Sequence, residues 1–295
     1  MRQTIYILLS FVLIAGVSCS KKDGGEPRKG AEVSFSPTLS PFDQSSDKFE
    51  MFDKDFSNGD EVSVFALQKQ NGQLYDSGNY ADNVRYVYRN GRLVAQNSPI
   101  YLPSGNKGLE YYGVYPYGSG VRNHMTFSVK EDQLSEKNYK LSDLRTAYTS
   151  ETNSASPRLD FYHSLSQVCV NVDNGYVRQK DFVFYLTVKT KSDVNVTADT
   201  YQATGSRNQV KMMYDSSTDL HYAVIPPQWF EKSDIFIYFD YDGINYETEF
   251  FNKVDFLSGY QTYLNISFEK TDDGTYRAIL LDGQIRPWEN DVADR

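Results

Sequence analysis

The chain has 295 residues, 30 Lys and Arg against 39 Asp and Glu, and a formal net charge of −9. Phosphate neutralisation takes grouped cations, so this acidic balance, with Lys21-Lys22 and Arg28-Lys29 confined to the N-terminal region, excludes nucleic acid as a partner. Two cysteines exclude a multi-bridge disulfide scaffold, while 24 Tyr and 18 Phe beside 2 Trp suit strands better than helices.

In chain order, Arg2 precedes an apolar run, Ile5–Gly16, and Val17-Ser18-Cys19-Ser20-Lys21-Lys22 follows. A cationic start, a short apolar stretch and small residues at the cut describe a secretory signal. The run is too short for a spanning helix, which needs roughly 20 apolar residues. A cysteine where the mature chain begins looks like a bacterial lipoprotein signal. Residues 1–18 are then the signal peptide, and Cys19 is the lipidation site that attaches the chain to the outer membrane. Each buried acyl CH₂ contributes about 0.8 kcal/mol and one acyl chain holds only marginally, so a multiply acylated cysteine makes a firm anchor. Residues 19–30 read as a flexible tether, since Ser20–Gly30 carries no aromatic or aliphatic side chain that could pack. Asp23 and Glu26 form part of the acidic signal that resembles surface export in Bacteroidales-type bacteria.

Ala31, Val33 and Phe35 alternate with Glu32, Ser34 and Ser36, and the run is expected to end at Pro37. Arg28, followed by Lys29, lies just ahead in a segment expected to be open to proteases. Beyond it, turn dipeptides are dense: Asn58-Gly59, Asn71-Gly72, Asn90-Gly91, Asn174-Gly175, Asp242-Gly243, Asp273-Gly274 and Asp282-Gly283. They tolerate the positive φ of tight hairpin turns. Arg85–Tyr88 and Arg92–Ala95 bracket one of them, and Ile235, Ile237, Phe239 and Tyr241 alternate before another. Phe182, Phe184, Leu186 and Val188 make a further apolar face, as do Leu264, Ile266 and Phe268. Period two with such turns predicts antiparallel sheet. Only Glu131–Ala147 carries a helical hint, and it reads as a loop with one helical turn. The polar stretch Thr149–Arg158 reads as a linker or long loop. The expected architecture is all-β, with an N-terminal β-sandwich over 31–158 and a C-terminal one over 159–295.

No catalytic constellation is present in the sequence. His124, His163 and His221 sit in no zinc-protease, nucleophile-elbow or phosphate-loop motif. Asp160 and His163, three apart on a strand, would face opposite ways. Asp240, Asp242, Asp272 and Asp273 fall at hairpin turns without the spacing of a calcium loop. No catalytic residue, metal ligand or cofactor is assigned. Cys169, in the strand-like run Leu165–Val172, reads as a small buried hydrophobe. Tyr111, Tyr112, Tyr115 and Tyr117 either stack on sugar rings or face a core, and the strand pattern favours the core.

A series of segments gives the chain a family likeness. It comprises Phe56–Ala66, Tyr111–Tyr117, Asp132-Gln133-Leu134 with Ser142-Asp143-Leu144, and Leu159–Val168 with its Phe-x-His-x-Leu-Ser pattern. It closes with Val224–Gln228, Leu257–Tyr263 and Gly283–Trp288. In order and spacing these resemble the fimbrillin-like lipoproteins of Bacteroidales, the stalk, accessory and anchor subunits of fimbriae. Pro227 is an insertion where the family often reads Ile-Pro-Gln, and Tyr101 stands where Tyr-Trp is common.

The resemblance implies two tandem transthyretin-like antiparallel β-sandwich domains and assembly with other fimbrial subunits by strand addition at a sheet edge. In polymerising members a protease cuts after an Arg ahead of the first strand. Arg28 is the matching position here, Lys29 the new N-terminus, and Ala31, Val33 and Phe35 mark the displaced strand. A donated strand burying four or five apolar side chains would contribute on the order of 6–15 kcal/mol before ordering costs. The same cut would remove the lipid on Cys19, so an anchor keeps both and a stalk subunit loses both. The tail Glu289–Arg295 has few apolar residues, which favours an anchor, tip or accessory role. A host or bacterial surface ligand is the remaining expected partner. The rival readings are a surface lipoprotein that binds glycans through exposed tyrosines and a hydrolase.

Overall fold

The computed structural model describes residues 30–39, 55–68, 71–105, 107–173, 178–232, 234–249, 252–272, 274 and 276–287. The first strands are β1 (Ser36–Leu39), β2 (Glu61–Leu67), β3 (Ala81–Arg89), β4 (Arg92–Ala95), β5 (Leu109–Tyr115) and β6 (His124–Ser128). A short helix, α1 (Glu136–Ser142), precedes β7 (Arg145–Thr152) and β8 (Arg158–His163). Ser135 caps α1 by accepting from the Asn138 amide at 3.2 Å, so the helical hint becomes two turns.

The chain continues through β9 (Ser166–Asp173), β10 (Val183–Asn195), β11 (Thr200–Lys211), β12 (Met213–Asp215), β13 (Leu220–Ile225) and β14 (Gln228–Phe230). It ends in β15 (Ile235–Tyr241), β16 (Ile244–Glu249), β17 (Val254–Phe256), β18 (Tyr260–Lys270) and β19 (Tyr276–Pro287).

The fold is all-β, and two hairpins show why. Asn90 and Gly91 have φ of 49° and 84°, and Asp242 and Gly243 have 52° and 74°. Positive φ at both central residues matches the right-handed twist of the flanking strands, which closes β3 on β4 and β15 on β16. A seven-stranded sheet in the order β1-β8-β7-β5-β2-β3-β4 results. Its inner face supplies Val62, Val64 and Ala66 of β2, Tyr111 and Tyr115 of β5 and Phe161 of β8 to a smaller core. A second, larger core lies between the sheets β11-β10-β15-β16 and β12-β13-β9-β18-β19.

The alternate residues of β2 and β5, namely Phe65, Leu67, Tyr112 and Val114, point away from the smaller core. They join the larger one with Val194, Val196 and Tyr201 at the β10–β11 turn. The first sheet is therefore covered on both faces, which explains why β2 and β5 are apolar almost throughout. β6 also crosses over, pairing with β10 from Lys191↔Ser128 to Asn195↔His124.

Three local expectations are corrected. Of the linker or long loop expected over Thr149–Arg158, only 153–157 is loop, and it joins strands of one sheet: Thr152 ends β7, Arg158 opens β8, and the two pair antiparallel. Asp282-Gly283 is no turn. It lies inside β19, next to a bulge in that strand where Asn265 pairs with Asp282 and Ile266 with Leu280, so one extra residue, Leu281, is absorbed without ending the strand. Pro37 does not end the first strand, which runs on to Leu39. The amides of Ser34 and Ser36 serve the β8 side and those of Val33 and Phe35 the β4 side. By alternation the missing donor of Pro37 falls on the β4 side, beyond the last bond there.

Candidate functional site: the slot of the leading strand

Residues 30–39 occupy a slot between the two ends of the seven-stranded sheet. From Ser36 to Leu39 the strand pairs parallel with Arg158–Phe161 of β8. Ahead of that it bonds on both edges. On one side the Val33 amide donates to the Ile100 carbonyl at 2.9 Å. The Phe35 amide and carbonyl exchange bonds with Leu93 of β4 at 3.0 Å each, and the Leu102 amide donates to the Ala31 carbonyl at 2.9 Å. On the other side the Ser34 and Ser36 amides donate to the Ala155 and Pro157 carbonyls at 3.0 Å each. Arg92 spans the slot, donating to the hydroxyls of Ser34 and Ser156. Thr38 donates to Asp160 on β8.

Side chains anchor the same segment. Val33 and Phe35 are fully buried, Leu39 is half-buried and Ala31 is exposed. The Phe35 ring meets Tyr86 and Tyr111 edge to face, with centroids 5.1 and 5.0 Å apart. The Tyr86 hydroxyl donates to the Val33 carbonyl at 2.9 Å and accepts from the Ile100 amide at 3.3 Å. Burial pushes this phenol up to about 12, so it stays a donor across the working pH range. Gly30 is required where it stands, since a Cβ there would overlap the Leu102 carbonyl.

Two fully buried apolar side chains stabilise by about 3–6 kcal/mol, less than four or five would. Ala31 therefore marks the strand's course without adding to its grip. Cys19, Arg28 and Lys29 lie outside the described residues. A cut after Arg28 would leave the strand joined to β2 through residues 40–54, which also lie outside the described residues and contain Lys48 and Lys54. Cutting at Arg28 alone therefore separates the strand from Cys19 but not from the body of the protein.

Most of the other sequence candidates lie apart from the slot. His163 does not meet Asp160. Its Nδ1 lies 2.7 Å from Asp143, whose second oxygen accepts from the Arg145 Nε at 2.6 Å, and all three are buried. The Arg145 guanidinium sits 5.4 Å from both the Phe56 and Tyr115 ring centroids. Asp160 instead pairs with Arg158. His221 is buried against Phe184 and Tyr214, with Nε2 2.8 Å from the Gln179 carbonyl. Desolvation pushes its imidazole down to about 4. His124 is exposed beside Asp76 at 3.2 Å. Cys169 is buried in β9. Tyr111, Tyr112 and Tyr115 face the cores, and Tyr117 is half-buried beneath Arg85 at 5.3 Å. Among the described residues no group of three His, Cys, Asp or Glu is placed to hold a metal, and no helix is long and apolar enough to cross a membrane.

Sheets packed face to face around two aromatic cores define an all-β sandwich protein with a strand-filled slot. The fimbrillin-like family matches residues 50–288, and the chain belongs to that family. Its fold is shared by solved structures that each bear the name "putative cell adhesion protein". One from Bacteroides ovatus has 13% identity and a TM-score of 0.66, covering 88% of this chain and 99% of that one. A second, from Bacteroides uniformis, has 16% identity and a TM-score of 0.61, covering 88% and 97%. A third, from Bacteroides thetaiotaomicron, has 13% identity and a TM-score of 0.52, covering 85% and 97%. No curated protein matches. The matched family range begins after the leading strand, so the slot's occupant is read from this chain alone.

Proposed function

We propose that this chain is a fimbrillin-like cell-surface lipoprotein, an anchor, accessory or tip subunit of a fimbria that adheres and assembles by strand addition. Acylated Cys19 holds it to the outer membrane, and processing after Arg28 frees it. Of the two β-sandwich domains expected over 31–158 and 159–295, we move the junction to Ser164-Leu165, because β8 (Arg158–His163) pairs within the first sheet. The observation that supports strand addition is the double-edged slot. Its occupant is bonded on both sides yet keeps only two fully buried side chains, so an extended segment of another subunit could take its place.

Full release requires a second break within residues 40–54, or displacement of the strand while it stays tethered. An anchor keeps the strand seated and the lipid attached.

Limited trypsin treatment, followed by mass spectrometry and size-exclusion chromatography, tests this. Cuts near Arg28 and at Lys48 or Lys54, a resistant body and new higher oligomers support the reading. Doubly cut protein that stays monomeric and takes up no partner strand removes the polymerising role and leaves the anchor role.

A further inference from the structure

We infer that the ribbon of β14 and β17 carries a saccharide-binding groove in which Trp229 is the stacking platform for an uncharged hexopyranose. In that ribbon Gln228 pairs with Phe256, Trp229 with Asp255 and Phe230 with Val254. Directly opposed residues share a face. Phe230, Val254 and Phe256 point inward: Phe230 stacks on Phe236 at 4.0 Å and Phe256 meets Phe236 edge-on at 5.5 Å. Trp229 and Asp255 therefore point outward, and Leu257, two residues on from Asp255, extends the same stripe.

Trp229 is 61% exposed, the most open large apolar side chain among the described residues, and Leu257 is 43% exposed. The groove beside them holds about 450 Å³ and is walled by Gln202 and Tyr201 of β11.

Three properties argue for a sugar. The platform is preorganised: its inward side is locked in the aromatic core, and Gln228 bonds the Lys189 backbone at both N–H (2.9 Å) and C=O (3.1 Å). Beside the ring stand an exposed carboxamide, Gln202, and a carboxylate, Asp255, which suit hydroxyl donors and acceptors. Most of the rim charge is matched, Lys253 with Asp255 at 2.8 Å and Arg207 with Asp234 at 3.7 Å, which leaves Lys189 as the one lining charge without an ion pair among the described residues and favours a neutral ligand over a multiply charged anion. The Lys253 ammonium lies over one face of the ring, 5.8 Å from its centroid; the face left to water, next to such groups, is the arrangement that binds the apolar face of a pyranose while its hydroxyls stay bonded.

This site is remote in sequence from the leading strand and does not depend on strand addition. The test uses the intact, uncut protein in affinity electrophoresis through gels containing mannan, galactan or β-glucan. Retardation by at least one polysaccharide is expected. Trp229→Ala should weaken it by about tenfold or more, Asp255→Asn and Gln202→Ala less, and Tyr148→Ala, at another exposed aromatic, not at all. Circular dichroism should match wild type for each variant. Absence of retardation in all three gels, or retardation that survives Trp229→Ala, overturns the inference.

Discussion

Two strands each make a parallel pair within their sheet and differ in how firmly they are held. β1, at the end of its sheet, pairs parallel with β8, and β9, in the middle of its own, pairs parallel with β18. β9 has β13 on its other side, and its residues Ser166–Val170 are all buried. The leading segment has just Val33 and Phe35 fully buried, and its remaining grip is mostly hydrogen bonding: backbone bonds to β4, β8, Ile100, Leu102, Ala155 and Pro157, and side-chain bonds through Tyr86, Arg92 and Thr38. Hydrogen bonds contribute about 0.5–1.5 kcal/mol each and any incoming strand reforms them, so they hold position without selecting the occupant. The same parallel pairing is backed by a row of buried side chains in one place and by two in the other.

Four substitutions break or sharpen that comparison. Arg145→Met should cost the most, about 3–5 kcal/mol, because it leaves the buried Asp143 beside His163 without its cation. Denaturant midpoints check this, and the loss should be felt in both cores, since these residues sit where β8 passes into β9. Phe35→Ala should cost about 3–5 kcal/mol, confined to the smaller core. Hydrogen exchange should rise in β4 and β8 and stay unchanged in β9 and β18.

His221→Phe sharpens the comparison from the other side. The folded imidazole titrates at about 4 and the unfolded one near 6.5, so the unfolded chain takes up the proton first as pH falls. Stability from this site is complete above about 6.5 and is lost down to about 4, on the order of 3 kcal/mol in all. Melting curves across that window should flatten in the variant, and the larger core should be the part that gains. Gly30→Ala should have the smallest effect, about 1–3 kcal/mol, by forcing the leading strand off Leu102. Faster trypsin cutting near Arg28 is the readout.

Much of this was legible in the sequence because it is local. Asn90-Gly91 and Asp242-Gly243 specify their turns whatever surrounds them, and Val33 and Phe35 alternate as an inward face must. The misreadings share a cause: partners distant in the chain. Asp282-Gly283 has turn chemistry, yet the bulge opposite Asn265 lets β19 run through it. Asp160 and His163 do face opposite ways, as their spacing requires, but the partners His163 takes, Asp143 and Arg145, come from the antiparallel pairing of Arg145 with His163 and have no local signature. Trp229 left one faint signal, an aromatic between inward-pointing Gln228 and Phe230. Its meaning depends on the groove wall that β11 supplies.

We propose that the slot recognises a strand by the side chains at positions 33 and 35. The direct measurement uses protein with a protease site engineered into residues 40–54, cut and freed of its leading segment. It is titrated with a labelled peptide of residues 30–39. Saturable one-to-one binding, abolished in a peptide carrying Val33→Asp and Phe35→Asp, is the predicted result. No binding, or equal binding of the two peptides, would contradict it.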